Sequence, residues 1–258
     1  LGVSIKSTGL GVVMLVFHYS TAAGAELKAP EKKAAQSEAA LDIPQDAWHW
    51  QLHAVRIKRK LVFVVMEQQS RFVMVFWELK KGDVVGLVQQ FLERLLFLLG
   101  MQCRETGALD EASMQLALQR VVEKCQQIHF TKGTDRSVQA HINEVIMVCR
   151  REVESCGCLP DGIAEAAWFD NNQNGFLRTV RGGAYFYPKE ALFRSWLHSY
   201  STQSEDDISA AIARNQQLRL EELAMRLNPV LTQSLPDDVN ANAAVQAMMA
   251  KLMNKAGN

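Results

Sequence analysis

The sequence predicts an α+β fold: a mostly antiparallel sheet of four to five strands, helices packed on one face, and a helical C-terminal extension. Three observations carry that expectation. Trp48 to Lys58 alternates, with Trp48, Trp50, Leu52 and Ala54 on one side and His49, Gln51, His53 and Val55 on the other, the period of a strand with one buried face. Leu61–Met66 and Phe72–Trp77 follow as short apolar runs with a brief polar interval at Glu67-Gln68-Gln69-Ser70, which reads as an antiparallel meander. After Trp77 the apolar spacing changes to three and four residues and keeps that helical period through most of the chain.

The elements follow in order. Met14 to Ser20 reads as a first strand. The rival reading joins Lys6, Gly9–Phe17 and Ala22–Ala25 into a signal peptide over residues 1–25. The single basic residue is a weak start for such a leader, so the strand is preferred and residues 1–13 are expected to lie upstream of the fold. Glu26 to Ala40 reads as a short helix or a solvated connector, ending near Pro44. Asp83 is placed to cap a helix whose apolar positions run from Val84 to Leu99, with Gly100 expected to end it. Asp110 or Ser113 starts the next helix, Gln127 to Thr131 forms a fifth strand, and a third helix runs from Ser137 to about Glu154. Residues 14–154 are expected to form the α+β domain. Beyond it, Pro188 opens a helix to about Tyr200. Ser204 caps another that Asn228-Pro229 is expected to stop, and Val239 to Met253 is expected to form a last, Met-rich helix.

Composition narrows the function classes. Lys+Arg and Asp+Glu are both 28, so formal net charge is zero, which weighs against a dedicated duplex-DNA binder. The five cysteines, Cys103, Cys125, Cys149, Cys156 and Cys158, are odd in number and suit reduced thiols in a bacterial cytoplasm. No uninterrupted apolar run reaches the about 18–20 residues that span a bilayer, and no membrane association is expected.

A few residues carry a resemblance. They are a short first strand at Leu15 to Tyr19, a Trp48-His49 pair opening the second strand, and the basic turn Lys58-Arg59-Lys60. Near the end of the matching region come Phe130-Thr131-Lys132 with Asp135-Arg136-Ser137, and then Asn143 within a helix. In these the chain resembles an uncharacterised prokaryotic family, the domain of unknown function numbered 6933, over residues 14 to about 150. Gln51 stands where the resemblance leads one to expect Asn, and Met66-Glu67 replaces an expected polar turn. The resemblance implies a fold and no activity, and residues 155–258 fall outside it.

Several motifs invite chemistry and each has a plainer reading. Lys132, Thr134, Asp135, Arg136 and Ser137 lie at a strand-to-helix junction, where helix amides and two cations suit an anion or phosphate. Thr134 or Asp135 would equally serve as a simple cap. Arg56, Lys58, Arg59 and Lys60 form a basic patch near Trp48 and Trp50, suited to single-stranded nucleic acid or to guarding a sheet edge. His49 and His53, four apart on a strand, stand about 13 Å apart, too far to share a metal ion. Cys156-Gly157-Cys158 lacks the spacing of a zinc knuckle. Asp170, Asn172, Asn174 and Gly175 imitate the first half of a calcium loop, but Arg181 occupies the position that needs a bidentate Glu. Arg181-Gly182-Gly183 and the aromatic run after it suit a ligand-facing loop.

No catalytic residue, cofactor or metal site is therefore expected. The preferred functional reading is a non-enzymatic binding or interaction module of the bacterial cytoplasm. Its contacts, to a protein partner or a second copy, would run through the C-terminal helices and the Lys132–Ser137 junction. The alternatives are a nucleic-acid-associated accessory factor using the basic patch, and an enzyme acting on a phosphorylated small molecule at the junction.

Overall fold

The computed structural model describes residues 14–28, 44, 47–77, 79–160, 162–180 and 182–234. Five strands form one sheet. They are β1 (Met14–Tyr19), β2 (Trp48–Ile57), β3 (Lys60–Glu67), β4 (Val73–Trp77) and β5 (Gln127–Lys132), in the order β4-β3-β2-β1-β5. The expected meander β2-β3-β4 is antiparallel. β1, however, lies between β2 and β5 and is parallel to both, so the sheet is mixed rather than purely antiparallel. Sequence-adjacent strands joined by tight turns must pair antiparallel, whereas β1 reaches β2 across a connection long enough for a parallel crossover. That connection begins with α1 (Thr21–Leu27), capped by the Ser20 hydroxyl.

The β2–β3 turn is Lys58-Arg59, both left-handed with φ 43° and 71°. A two-residue hairpin with positive φ at both positions matches the twist of its strands, and here two non-glycine residues adopt it. β3 is buried along its whole apolar run, Leu61 to Met66, as befits a strand covered on both faces.

Helices lie on both faces of the sheet, not on one. The first face carries Leu15, Phe17, Trp50, Leu52, Phe63, Val65, Met74 and Phe76. Against it pack α2 (Val84–Thr106), α3 (Glu111–Lys124), α6 (Pro188–Tyr200) and the first turns of α7 (Glu205–Ser234). The second face carries Ile57, Val62, Val64, Met66, Val73, Val75 and Trp77, and is covered by α4 (Arg136–Cys156) and α5 (Gly162–Gln173). The apolar runs of β3 and β4 already required cover on both sides. The residues expected to form a C-terminal extension thus contribute to both cores, through Phe169 on one side and Phe193, Trp196, Leu197 and Ile208 on the other. A short hairpin, β6 (Arg178–Thr179) with β7 (Tyr185–Phe186), joins α5 to α6.

Three helix boundaries differ from expectation. α2 does not stop at Gly100 but runs on to a left-handed cap at Gly107, because Gly100 is a buried position facing Leu118 of α3. Asp170 to Gln173, expected as a turn, closes α5, since Asp170 and Asn174 are fixed by bonds to β4. α7 passes through Asn228-Pro229 to Ser234. The expected Met-rich helix from Val239 to Met253, most of the Glu26 to Ala40 segment and residues 1–13 lie outside the described residues.

By length and composition α2 would suffice to cross a membrane, a property hidden by its interruption at Gln89, Gln90, Glu93 and Arg94. In the fold its stripe of Leu87, Phe91, Leu95, Leu98 and Leu99 is pressed into the core.

Candidate functional site

Two features share one end of the sheet. The first is a cleft of about 500 Å³ between the start of β2, the β3–β4 turn and α6. Trp48, Phe186, Trp196 and Tyr200 provide its aromatic surface, and His49, Gln68, Ser195 and Ser199 its polar surface. Strand alternation explains the mixture. Trp48 packs toward the α6 side, with its ring 5.4 Å from that of Trp50 and 6.4 Å from that of Tyr200, while His49 takes the opposite side. Trp196 is fully buried, and its indole nitrogen has no hydrogen-bond partner among the described residues.

The second feature is a polar array running from His49 beneath the start of α4. His18 Nε2 and His49 Nδ1 lie 2.9 Å apart. Burial lowers the pKa of both rings, and for His18 the neighbouring His49 lowers it further. Both shifts disfavour the charged form, and at this distance one ring nitrogen donates to the other. In the adjacent register Gln51, fully buried, accepts from the Asp135 amide at 2.7 Å and donates to Gln139 Oε1 at 3.1 Å. The Trp48-His49 motif and the Asp135-Arg136-Ser137 motif, 86 positions apart in sequence between His49 and Asp135, thus meet through Gln51.

The junction itself is arranged as a helix cap. The Asp135 carboxylate accepts from the amides of Ser137 and Val138 at 2.7 and 3.1 Å, so those donors of the α4 N-terminus are taken. Lys132, Thr134 and Arg136 are exposed, and Ser137 is half-buried. Ser137 Oγ instead receives Arg71 Nη2 at 3.1 Å. Arg71, from the end of the β3–β4 turn, is a buried cation that sequence reasoning passed over. Its only signal there was its place beside the turn Glu67–Ser70.

The basic patch is partly engaged by the protein. Arg56 makes two bonds to the Glu26 carboxylate, at 2.9 and 3.1 Å. Lys58 Nζ donates to Val153 O at 3.0 Å, at the negative end of the α4 dipole. Arg59 and Lys60 are exposed.

The residues of the calcium-like segment serve the sheet edge. Asn174 accepts from Val73 N and donates to Val73 O, both at 2.7 Å, and Asp170 accepts from Val75 N at 2.9 Å. Arg181 is outside the described residues. Among the described residues no group of three or more His, Cys, Asp or Glu is placed to hold a metal ion.

A family model for a domain of unknown function, DUF6933, matches residues 16–191, more than two thirds of the chain. The chain belongs to the DUF6933 family. The DUF6933 match extends beyond the expected end near residue 150, through α5 and the β6–β7 hairpin into α6. It contains Trp48, His49, Gln51, Arg71 and the whole α4 junction, whereas Trp196 and Tyr200 of the cleft follow it. No curated protein matches the sequence.

Proposed function

We propose that this DUF6933 protein is a non-enzymatic binding module whose ligand is a small planar molecule seated in the cleft beside Trp48. The cleft itself carries the reading. Its volume of about 500 Å³ falls within the range of small-molecule sites, which combine apolar walls with a few placed polar groups. The half-buried ring of Trp48 offers a surface for stacking, while Gln68 and the serines of α6 offer hydrogen bonds at the margin. The five cysteines suit the reducing bacterial cytoplasm proposed with it.

Saturation-transfer NMR on the full chain with a panel of nucleosides and aromatic amino acids tests this. At least one member of the panel should show transfer, and Ser195→Trp should abolish it by filling the cleft from the exposed face of α6. A panel without any binder, or binding unchanged by Ser195→Trp, defeats the reading.

A further inference from the structure

The two edges of the sheet are finished differently. β4 ends it on one side, and side chains take up its backbone groups. Asn174 bonds the N–H and C=O of Val73, Asp170 accepts from Val75 N, and Arg94 donates to Val75 O. β5 ends the sheet on the other side, and no strand among the described residues pairs with its outer edge. β5 holds no proline, and its one lysine, Lys132, stands at its last position. The usual guards of a sheet edge are therefore sparse.

One bond fixes which groups point outward. Gly133 N donates to Tyr19 O at 3.2 Å, so the residue that follows β5 faces β1. Along a strand the N–H and C=O of one residue point to the same side, and successive residues alternate. Gln127, His129 and Thr131 therefore turn their backbone toward β1, and Ile128, Phe130 and Lys132 turn theirs away from the sheet. The side chains of Ile128 and Phe130 lean on the first core, with the Phe130 ring stacked on that of Phe17 at 5.1 Å. Residues Gln127 to Thr131 are only half-buried, although β1 beside them is buried from Met14 to Phe17.

The strand is complementary to its own reverse. An antiparallel pair centred on Phe130 sets Phe130 against the partner's Phe130, His129 against the partner's Thr131, and Ile128 against the partner's Lys132. Every outward N–H and C=O then gains a partner, and no like charges stand opposite one another. Phenyl–phenyl pairs across strands are favourable, and this one would extend the Phe17–Phe130 stack from one sheet into the next. Formal net charge is zero, so two copies approach without long-range repulsion. We propose that β5 pairs in this register with β5 of a second copy, joining the two sheets into one by strand addition. This inference stands apart from the cleft and does not require it.

Sedimentation velocity and amide hydrogen exchange on the full chain, each across a dilution series, test it. A dimer is expected at high concentration. In it the amides of Ile128, Phe130 and Lys132 should exchange slowly, and on dilution to the monomer they should exchange fast. The amides of His129 and Thr131, bonded to β1, should stay slow in both. Ile128→Lys sets a cation against the partner's Lys132, and symmetry repeats the clash, so the dimer dissociation constant should rise by about tenfold. Ile128→Glu removes the same apolar side chain but meets that lysine with an opposite charge, and should stay within about threefold of the wild type. The inference is overturned if the chain remains monomeric, or if the three outward amides exchange fast in the dimer. Slow exchange of those amides in the monomer would overturn it too, since the chain itself would then cover the edge. Equal weakening by the Lys and Glu variants would overturn the antiparallel register.

Discussion

The side-chain amide of Asn174 bonds both the N–H and the C=O of Val73, each at 2.7 Å, and so occupies the place a neighbouring strand would take. β4 is the outer strand of its sheet. Asp170, one helical turn earlier, accepts from Val75 N, and Arg94 Nη2 donates to Val75 O at 2.6 Å. α5 and α2 thus close an edge that would otherwise be a template for pairing with another chain.

Asn174→Ala should therefore cost about 2–3 kcal/mol, since it leaves buried backbone donors and acceptors unpaired. Urea unfolding measures the loss, and light scattering should show increased self-association as the edge opens. A variant as stable and as monodisperse as the wild type would falsify the edge-closing role.

Three histidines on the α4 side of β1 and β2 give a pH prediction. Burial lowers the pKa of His18, His49 and His53 below the ordinary 6.5. The unfolded chain therefore binds more protons near and below pH 6.5, and stability rises with pH there. Their contribution is complete above the unfolded value of about 6.5 and is lost as pH falls through the lowered folded values. Asp170 acts in the opposite sense. Burial, only partly offset by Arg94, pushes its pKa up to about 7, so its contribution declines as pH rises between its unfolded value and that point. The histidine effect is thus read as a difference. His18→Gln with His49→Gln should show a smaller loss of stability on acidification than the wild type. Equal slopes in urea midpoints from pH 5 to 7 would count against neutral, buried rings.

The thiols divide by burial. Cys103, Cys125 and Cys149 are buried, while Cys156 and Cys158 are exposed, and burial pushes the Cys125 and Cys149 thiols up to about 12. Because the thiolate is the reactive form, a thiol reagent should label Cys156 and Cys158 quickly in the native protein. The other three should react only with unfolding. Mass mapping of rapidly labelled peptides decides it, and early modification of Cys149 would contradict the cover that α4 and α5 give it.

Gly100 sits within α2, and a Cβ there would meet Leu118 Cδ1 at 3.5 Å, ordinary contact. Gly100→Ala should stabilise the protein by about 0.5–1 kcal/mol through helix propensity and a less flexible unfolded chain. A lower melting temperature would show that α2 and α3 approach too closely for the added methyl group.

Period and punctuation were enough to read the strands β2 to β5 and the starts of α2, α3, α4 and α6, because alternation, helical spacing and capping residues act within a few positions of the chain. Asp83 and Asp110 cap their helices as their places indicate, and Trp50 is buried on the face that Leu52 marks. The insertion of β1 between β2 and β5 was not legible, since no local pattern records which distant strand a buried run will pair with. The continuation of α2 past Gly100 and of α5 through Asp170 depended on partners far along the chain, Leu118 and Val73 to Val75. The candidate site divides in the same way. Trp48, His49 and the Asp135 cap could be picked out in the sequence by residue type and spacing. The bond from Gln51 to Asp135, the His18–His49 pair, the facing of α6 onto Trp48 and the bond from Arg71 to Ser137 are decided by tertiary structure alone. Side-chain hydrogen bonding and charge pairing act over a few ångströms in space and leave no periodic trace along the chain.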